Sequence, residues 1–331
     1  MTGLSDGAVS RLRSVATWPE FESPRYVAVE EIGRGGMGTV YRATDDLLGR
    51  EVAIKIPNGF GTAAVAARLQ TEAAALARLE HPGIVPIHDA GRLADGRLFY
   101  VMKLVRGKTL EAHLADRPGL SERLGIFERI CEPVAFAHAM GFVHRDLKPG
   151  NVMLGAFGEV LVMDWGAALL TDASQNADPG PPVPSRERQT EHGAAIGTRG
   201  FMAPEQMEAD GATIDARADV YGLGAVLFLL LTGDPPAEIE PTAGLASRRD
   251  LPAALRAICM RAMSPKPVDR YQDVLSLVGD IRRYRAGLAV DAHPETALER
   301  TMRFVRTYRT AIVLILAYLA MRVIVAIVSG R

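Results

Sequence analysis

Disulfide cross-links are the first thing this chain lacks. Only Cys131 and Cys259 are present among its 331 residues. They lie far apart, each inside an apolar helical pattern, which predicts two buried free thiols in a reducing compartment. The seven histidines show neither a His-x3-His nor any Cys/His ligand spacing, so no zinc site is expected. An excess of one charge sign is also missing. With 38 Lys and Arg against 39 Asp and Glu, no basic face is indicated and no nucleic-acid partner is expected. Met1 to Ser23 holds no apolar core of the kind that opens a secretory signal. Hydrophobic residues, by contrast, make up 48% of the chain. That excludes global disorder and suits one large or two medium domains with short extras.

The densest chemistry lies in His144-Arg145-Asp146-Leu147-Lys148-Pro149-Gly150-Asn151. An amphipathic run from Ile126 to Met140 precedes it and ends at Gly141, so the stretch should leave a buried helix and enter a loop. Four residues separate Asp146 from Asn151, with Lys148 between them. One turn of loop could therefore aim a carboxylate, an ammonium and an amide at a single point. The carboxylate suits proton acceptance from a hydroxyl, the ammonium suits a transferring phosphoryl group, and the amide oxygen suits a hard cation. Thirteen residues after Asn151 comes Asp164-Trp165-Gly166, directly after the apolar run Val160 to Met163. A carboxylate at such a strand end is a natural second metal ligand. Either fragment alone is read equally well as solvated loop charge, whereas the two in this order are hard to obtain by chance.

Upstream, residues 1 to about 25 read as a polar leader, with Trp18, Pro19 and Phe21 set to tuck against the first domain. Strand-like alternation begins at Tyr26. The segment Ile32 to Tyr41 interrupts it with Gly33, Gly35, Gly36 and Gly38, which permit tight turning and a close approach of backbone N–H groups to phosphate. Alternation resumes at Val40 with no helix opening at the third glycine, which disfavours a dinucleotide-binding turn. Glu51 to Ile56 is the next strand, and Lys55 falls on the face opposite Ile54 and Ile56. A lysine there ordinarily snorkels outward. The following helix, Ala66 to Glu80, offers an inward alternative, because Glu72 lies at the edge of its apolar stripe. Two more strands are expected at Ile84–Ile87 and Leu98–Met102, joined by a turn at Asp95-Gly96. Helical patterning dominates from Leu110 onward, with Lys103-Leu104-Val105 as the connector.

On these residues the chain resembles the eukaryotic-type serine/threonine protein kinases, particularly their bacterial membrane-linked members, over about residues 26 to 286. The resemblance implies an α+β, two-lobed protein-kinase-like fold, with a small sheet-rich N-lobe (about 26–102) and a larger helical C-lobe (about 106–286). It implies ATP and Mg2+ or Mn2+ as cofactors. Ile32, Gly33, Gly35 and Gly38 then correspond to the flap over the ATP phosphates, Val40 and Ala53 to adenine-pocket walls, and Met102 to the residue before the hinge. Lys55 corresponds to the lysine on the α/β-phosphates and Glu72 to its helix partner. Asp146 matches the catalytic base, Lys148 the γ-phosphate lysine, and Asn151 with Asp164 the metal ligands. The Asp-Leu-Lys-Pro-x-Asn form is similar to that of serine/threonine rather than tyrosine kinases. Gly197-Thr198 and Ala203-Pro204-Glu205 resemble the end of an activation segment, with Thr198 bridging Asp146 and Lys148 and Glu205 pairing with Arg270. Asp219 resembles the acid that braces the catalytic loop. Arg145 implies pairing with a phosphorylated loop residue, for which Thr190 leads and Thr171, Ser174 and Ser185 follow. Implied partners are protein substrates with Ser or Thr acceptors, and a second copy of the chain for autophosphorylation.

Several positions depart from the family pattern. Trp165 replaces the usual Phe, Lys103 an acidic hinge residue, and Arg199 a frequent proline. The stretch from Gly233 to Leu251 is shorter than usual, which predicts a reduced peptide-docking surface and substrate choice by proximity at a membrane. The rival readings are a pseudokinase scaffold and a small-molecule phosphotransferase. The scaffold has no need of the full set of lysine, glutamate, base and metal ligands, and Thr198 with Ala203-Pro204-Glu205 speaks against the phosphotransferase.

After a basic linker at 287–310, in which Arg300, Arg303, Arg306 and Arg309 recur, residues 311–328 are apolar except for Arg322. As a helix this span measures ~27 Å at ~1.5 Å per residue, against a ~30 Å hydrocarbon core. Its Leu, Ile and Val residues contribute roughly −5 kcal/mol in sum to insertion, against about +3 kcal/mol for one arginine. Insertion wins narrowly, with Arg322 snorkelling. The expectation is a single-pass helix with the kinase on the cytoplasmic side, where ATP is. A helix lying in the interface is the runner-up.

Overall fold

The computed structural model describes residues 18–35, 38–57, 77–165, 169–170, 199–207, 214–237, 242, 244–245, 248–295, 300–301, 303, 305 and 308–329. Its N-terminal part is a five-stranded sheet built from β1 (Tyr26–Gly35), β2 (Gly38–Asp45), β3 (Arg50–Pro57), β4 (Ile87–Arg92) and β5 (Leu98–Lys103). The order is β1-β2-β3-β5-β4 with every neighbouring pair antiparallel. Alternation decides the two faces. Val52, Ile54 and Ile56 of β3 join Phe99 and Val101 of β5 in one buried cluster with Tyr26, Tyr41 and Leu93. Phe21 packs edge-on against Phe99 at 5.0 Å, and Trp18 against Tyr41 at 5.5 Å, so the end of the leader does close onto the sheet.

The strand expected at Ile84–Ile87 is displaced: β4 starts at Ile87 and runs on to Arg92. Pro86 has no N–H to give a ladder. It contributes only its carbonyl, which accepts from the Lys103 N–H at 3.2 Å. Ile84 instead bridges Val162 in parallel, and Val162 N–H donates to Gly83 O at 2.8 Å. This joins the end of the small lobe to the strand that leads into Asp164. Most of the expected helix Ala66–Glu80, including Glu72, lies outside the described residues.

The C-terminal part opens with β6 (Gly107–Thr109), α1 (Leu110–Leu114) and α2 (Leu120–Ala139), followed by β7 (Phe142–Val143), β8 (Val152–Gly155), β9 (Val160–Val162) and β10 (Leu169–Leu170). Strands β6, β8 and β9 form a three-stranded sheet and β10 pairs with β7. Next come α3 (Pro204–Met207), α4 (Ala216–Thr232), α5 (Ala253–Ala262), α6 (Val274–Arg285) and α7 (Arg309–Ser329). Helix α4 is the pillar of this lobe. It is apolar all round, and every residue from Ala218 to Leu231 is buried, which is where such a helix belongs. Asp215 caps it by accepting from Arg217 N–H at 2.8 Å, and Gly233 ends it in the left-handed conformation at φ 85°. Cys131 and Cys259 are buried and unpaired in this core, as expected.

One polar cluster ties the end of the domain down. Asp280 on α6 is fully buried, and its carboxylate accepts from Tyr271 Oη at 2.7 Å, Arg283 Nη2 at 2.5 Å, Asp291 N at 2.7 Å and Ala292 N at 3.0 Å. Burial raises the Asp280 pKa, but these donors outweigh it and take the carboxyl below its ordinary range. Val290 is buried in the same core. The chain thus leaves the domain at a fixed point.

Beyond the linker, α7 carries Val313, Leu314, Ile315, Leu316 and Leu319, each more than half exposed. Side chains are described without a break only from Tyr308 to Arg322, and among the described residues no helix is long and apolar enough to cross a membrane.

Candidate active site

The upper wall of the site is the cleft face of the small sheet. In register, Val40 stands opposite Lys55, and Ala53 opposite Met102. These residues occupy the face away from Ile54, Ile56 and Val101, so the parity read from the sequence holds. Lys55 is only 6% exposed, and its ammonium forms an ion pair with Asp164 from the other lobe. Burial pulls the Lys55 pKa down, but the neighbouring Tyr100 and Asp164 more than offset it, and the net direction is upward. The lysine is therefore charged at neutral pH.

The rim of this wall is the hairpin between β1 and β2, where Gly35 pairs with Gly38. Ile32 is exposed on β1. Gly38 has φ +146°, and a Cβ added there would lie 2.4 Å from Ile56 O, a backbone atom that cannot give way. A Cβ added at Gly33 meets nothing within 4 Å. Gly38→Ala should therefore destabilise by about 1–3 kcal/mol, while Gly33→Ala changes the melting temperature little. Thermal melts of the two variants without nucleotide check this, and equal shifts would contradict the geometry.

The lower wall is the loop after β7. Asp146 is held from two sides. Lys148 Nζ donates to its carboxylate at 2.8 and 3.1 Å, and Asn151 Nδ2 donates to Asp146 O at 2.7 Å and Oδ2 at 2.9 Å. With its nitrogen committed, Asn151 presents a carbonyl oxygen as its remaining polar end. Met163 N–H donates to Asn151 O at 2.8 Å, which joins this loop to the residue before Asp164. Asp164 itself has φ 63°, a strained left-handed backbone that swings its carboxylate toward Lys55. Trp165 is buried, donates from Nε1 to Val162 O at 3.2 Å and packs on His144 with ring centroids 4.5 Å apart.

Asp219 braces the loop from beneath, accepting from His144 N–H and Arg145 N–H, each at 2.7 Å. Burial alone would raise its pKa. The His138 ring at 2.7 Å, with the Arg145 N–H, takes it lower instead. Below the loop, Arg270 grips both Glu205 oxygens at 2.7 Å.

The structure thus gathers Lys55 with Asp164, Asp146 with Lys148 and Asn151, and Val40, Ala53 and Met102 on the wall above. Glu72, Thr198 and the four candidate acceptors Thr171, Ser174, Ser185 and Thr190 lie outside the described residues. Three contributors were not singled out from the sequence. His138 braces Asp219 from the last turn of α2, and the signal for it is the apolar face that points this turn inward. Gln206 donates to Arg145 O at 2.8 Å. Tyr100 stands opposite Lys55 and was recoverable by counting two residues back from Met102.

The donor set of Asn151 and Asp164 fits a hard cation such as Mg2+, which keeps several water or phosphate ligands and needs few from protein. Among the described residues no group of three or more His, Cys, Asp or Glu could hold a metal alone.

A cleft between a twisted five-stranded sheet and a helical lobe, with a lysine and an aspartate meeting across it, is the arrangement of the protein kinase fold. The protein kinase domain family matches residues 26–285, and the chain belongs to that family. It is similar to the serine/threonine-protein kinase PknD of Chlamydia abortus, with 33% identity over 79% of this chain and 31% of PknD. It is also similar to PknB of Mycolicibacterium smegmatis, with 36% identity over 83% of this chain and 45% of PknB. The chain therefore spans less than half the length of these relatives. Among solved structures, the PknI kinase domain of Mycobacterium tuberculosis superposes with TM-score 0.61 at 28% identity, covering 78% of this chain and 96% of that one.

Proposed function

We propose that the chain is an ATP-dependent serine/threonine protein kinase of the eukaryotic type found in bacteria. The observation that carries this is the meeting of Lys55 and Asp164 directly above the Asp146–Lys148–Asn151 cluster. In this reading the backbone of the Gly33–Gly38 hairpin lies over the triphosphate of ATP, Val40, Ala53 and Met102 wall the adenine, and Lys55 binds the α- and β-phosphates. Asn151 and Asp164 would hold Mg2+, which when bound neutralises charge on the phosphates. Asp146 orients a Ser or Thr hydroxyl and accepts its proton as the oxygen attacks the γ-phosphorus. Lys148, already hydrogen-bonded to Asp146, offers an ammonium to the phosphoryl oxygens as they shift from ADP to the acceptor. Transfer is then a matter of positioning and charge neutralisation.

Incubation with labelled ATP and a generic protein substrate, with Asp146→Asn as control, tests this. Phosphoserine and phosphothreonine are the expected products. No transfer by the native chain, with nucleotide still bound, would favour a pseudokinase scaffold. Mapping of the same reaction should find autophosphorylation between Gly166 and Ala203, with Thr190 first.

We further propose that α7 inserts in a membrane and keeps the kinase lobes at the cytoplasmic face. The exposed apolar side chains of α7 and the arginines at 300, 303, 306 and 309 support this. The chain should stay with the membrane fraction at high salt and at high pH. Release by salt alone would indicate a helix lying in the interface instead.

A further inference from the structure

Tyr100 sits beside the reacting groups without a role in the mechanism above. Antiparallel pairing of β3 with β5 sets it directly opposite Lys55, two residues before Met102, which stands opposite Ala53. Phe99 and Val101 take the other face of β5 and fill the small-lobe core, so Tyr100 is committed to the cleft. Side chains paired this way have Cβ atoms ~5 Å apart, and a phenol reaches the end of a lysine across that gap. Lys55 and Tyr100 thus share one face of the sheet, on which the Lys55 ammonium also meets Asp164. Burial of the hydroxyl raises the Tyr100 pKa, and the nearby lysine only partly offsets this. The phenol therefore stays neutral, and its oxygen remains an acceptor for the ammonium.

A lysine has three N–H donors to place in a site where little water competes. Asp164 occupies one of them, and in the proposed reaction it is also a metal ligand, so that partner changes when nucleotide arrives. A phenol on a sheet strand does not change. We propose that Tyr100 is a positioning residue for nucleotide binding, its hydroxyl holding the Lys55 ammonium against the cleft while Asp164 exchanges the ammonium for the metal. This rests on the reading of Lys55 as the phosphate-binding lysine. Its consequence is a Lys55 pre-set by the sheet itself, in addition to any acid from the neighbouring helix.

The test is a double-mutant cycle on Mg-ADP affinity by calorimetry, using the full chain and the variants Tyr100→Phe, Lys55→Met and both together. Losing one hydrogen bond to a charged group predicts about five- to tenfold weaker binding for Tyr100→Phe. That loss should vanish in the Lys55→Met background. In steady state the change should fall on KM for ATP, with kcat and KM for the protein substrate within about threefold of the native chain. Tyr100→Gln, which restores an acceptor, should bind more tightly than Tyr100→Leu. Unchanged affinity in Tyr100→Phe, an equal loss with and without Lys55, or a Tyr100→Phe chain that fails to fold would each overturn the proposal. If Lys55→Met alone binds Mg-ADP like the native chain, the assignment of Lys55 fails first, and that failure is read independently of Tyr100.

Discussion

Asp146→Asn is expected to lower kcat about a thousandfold at saturating ATP, within the ~10²–10⁴-fold range typical of general-base catalysis, while leaving Mg-ADP affinity within about threefold. The substitution is nearly isosteric. The oxygen that Asn151 and Lys148 address survives in the new amide, and the loop remains braced by Asp219 beneath it. What disappears is a charged acceptor for the hydroxyl proton. A quenched-flow or steady-state measurement on a peptide substrate, paired with calorimetry, separates the two quantities. A fall of only a few fold in kcat would mean that the acceptor hydroxyl loses its proton elsewhere. A parallel collapse of nucleotide binding would mean that Asp146 is needed to build the cleft.

Arg270→Ala carries the largest expected loss of stability, about 3–5 kcal/mol. Arg270 is 1% exposed, and its guanidinium serves both Glu205 oxygens, Ser264 O, Arg217 O and Pro265 O, while stacking 5.0 Å from the Tyr221 ring centroid. Truncation strands a mostly buried carboxylate and three carbonyls without donors. With roughly 2–4 °C of melting temperature per kcal/mol for a domain of this size, the transition should fall by about 10 °C. Removing Glu205 as well should return part of the loss, because the unmatched charge goes with it. A shift under ~2 °C for the single variant would show that water replaces the guanidinium at no great cost. Glu205 lies in the first turn of α3, which opens at Pro204 directly after Ala203, so Arg270→Ala should also raise KM for protein substrates.

Features whose chemistry sits close together along the chain were legible in the sequence. Asp146, Lys148 and Asn151 fall within one turn of loop, and the structure connects them by hydrogen bonds among themselves. Strand parity put Lys55 on the face opposite Ile54 and Ile56, and the acid at Glu72 with the family resemblance turned that face toward the cleft. Features made by pairing distant segments were harder to read. The apolar run that becomes β9 was read as a strand end, but three-residue β6 is too short to show a period, so the sheet β6-β8-β9 was hidden inside what reads as helical sequence. The start of β4 was misread because Ile84, Val85 and Ile87 look like a strand, while Pro86 forbids the ladder. His138 and Asp219 meet across a separation of 81 residues, and only α2 packed on α4 brings them within 2.7 Å. Tyr100 shows the same limit. Its parity was visible, but its partner depends on which strand lies beside β5, and that is a matter of sheet order.

The Asp280 clasp bears on how far this protein kinase domain could reach from a membrane. Because Asp291 and Ala292 are fastened to the large lobe, the reach of the tether is measured from Ala292 rather than from the end of α6. Even fully extended, the chain from Ala292 to Arg309 spans at most about 60 Å at ~3.3–3.6 Å per residue. With α7 in a bilayer, that length is the radius of a leash, and targets beyond it would have to be brought to the membrane by something else.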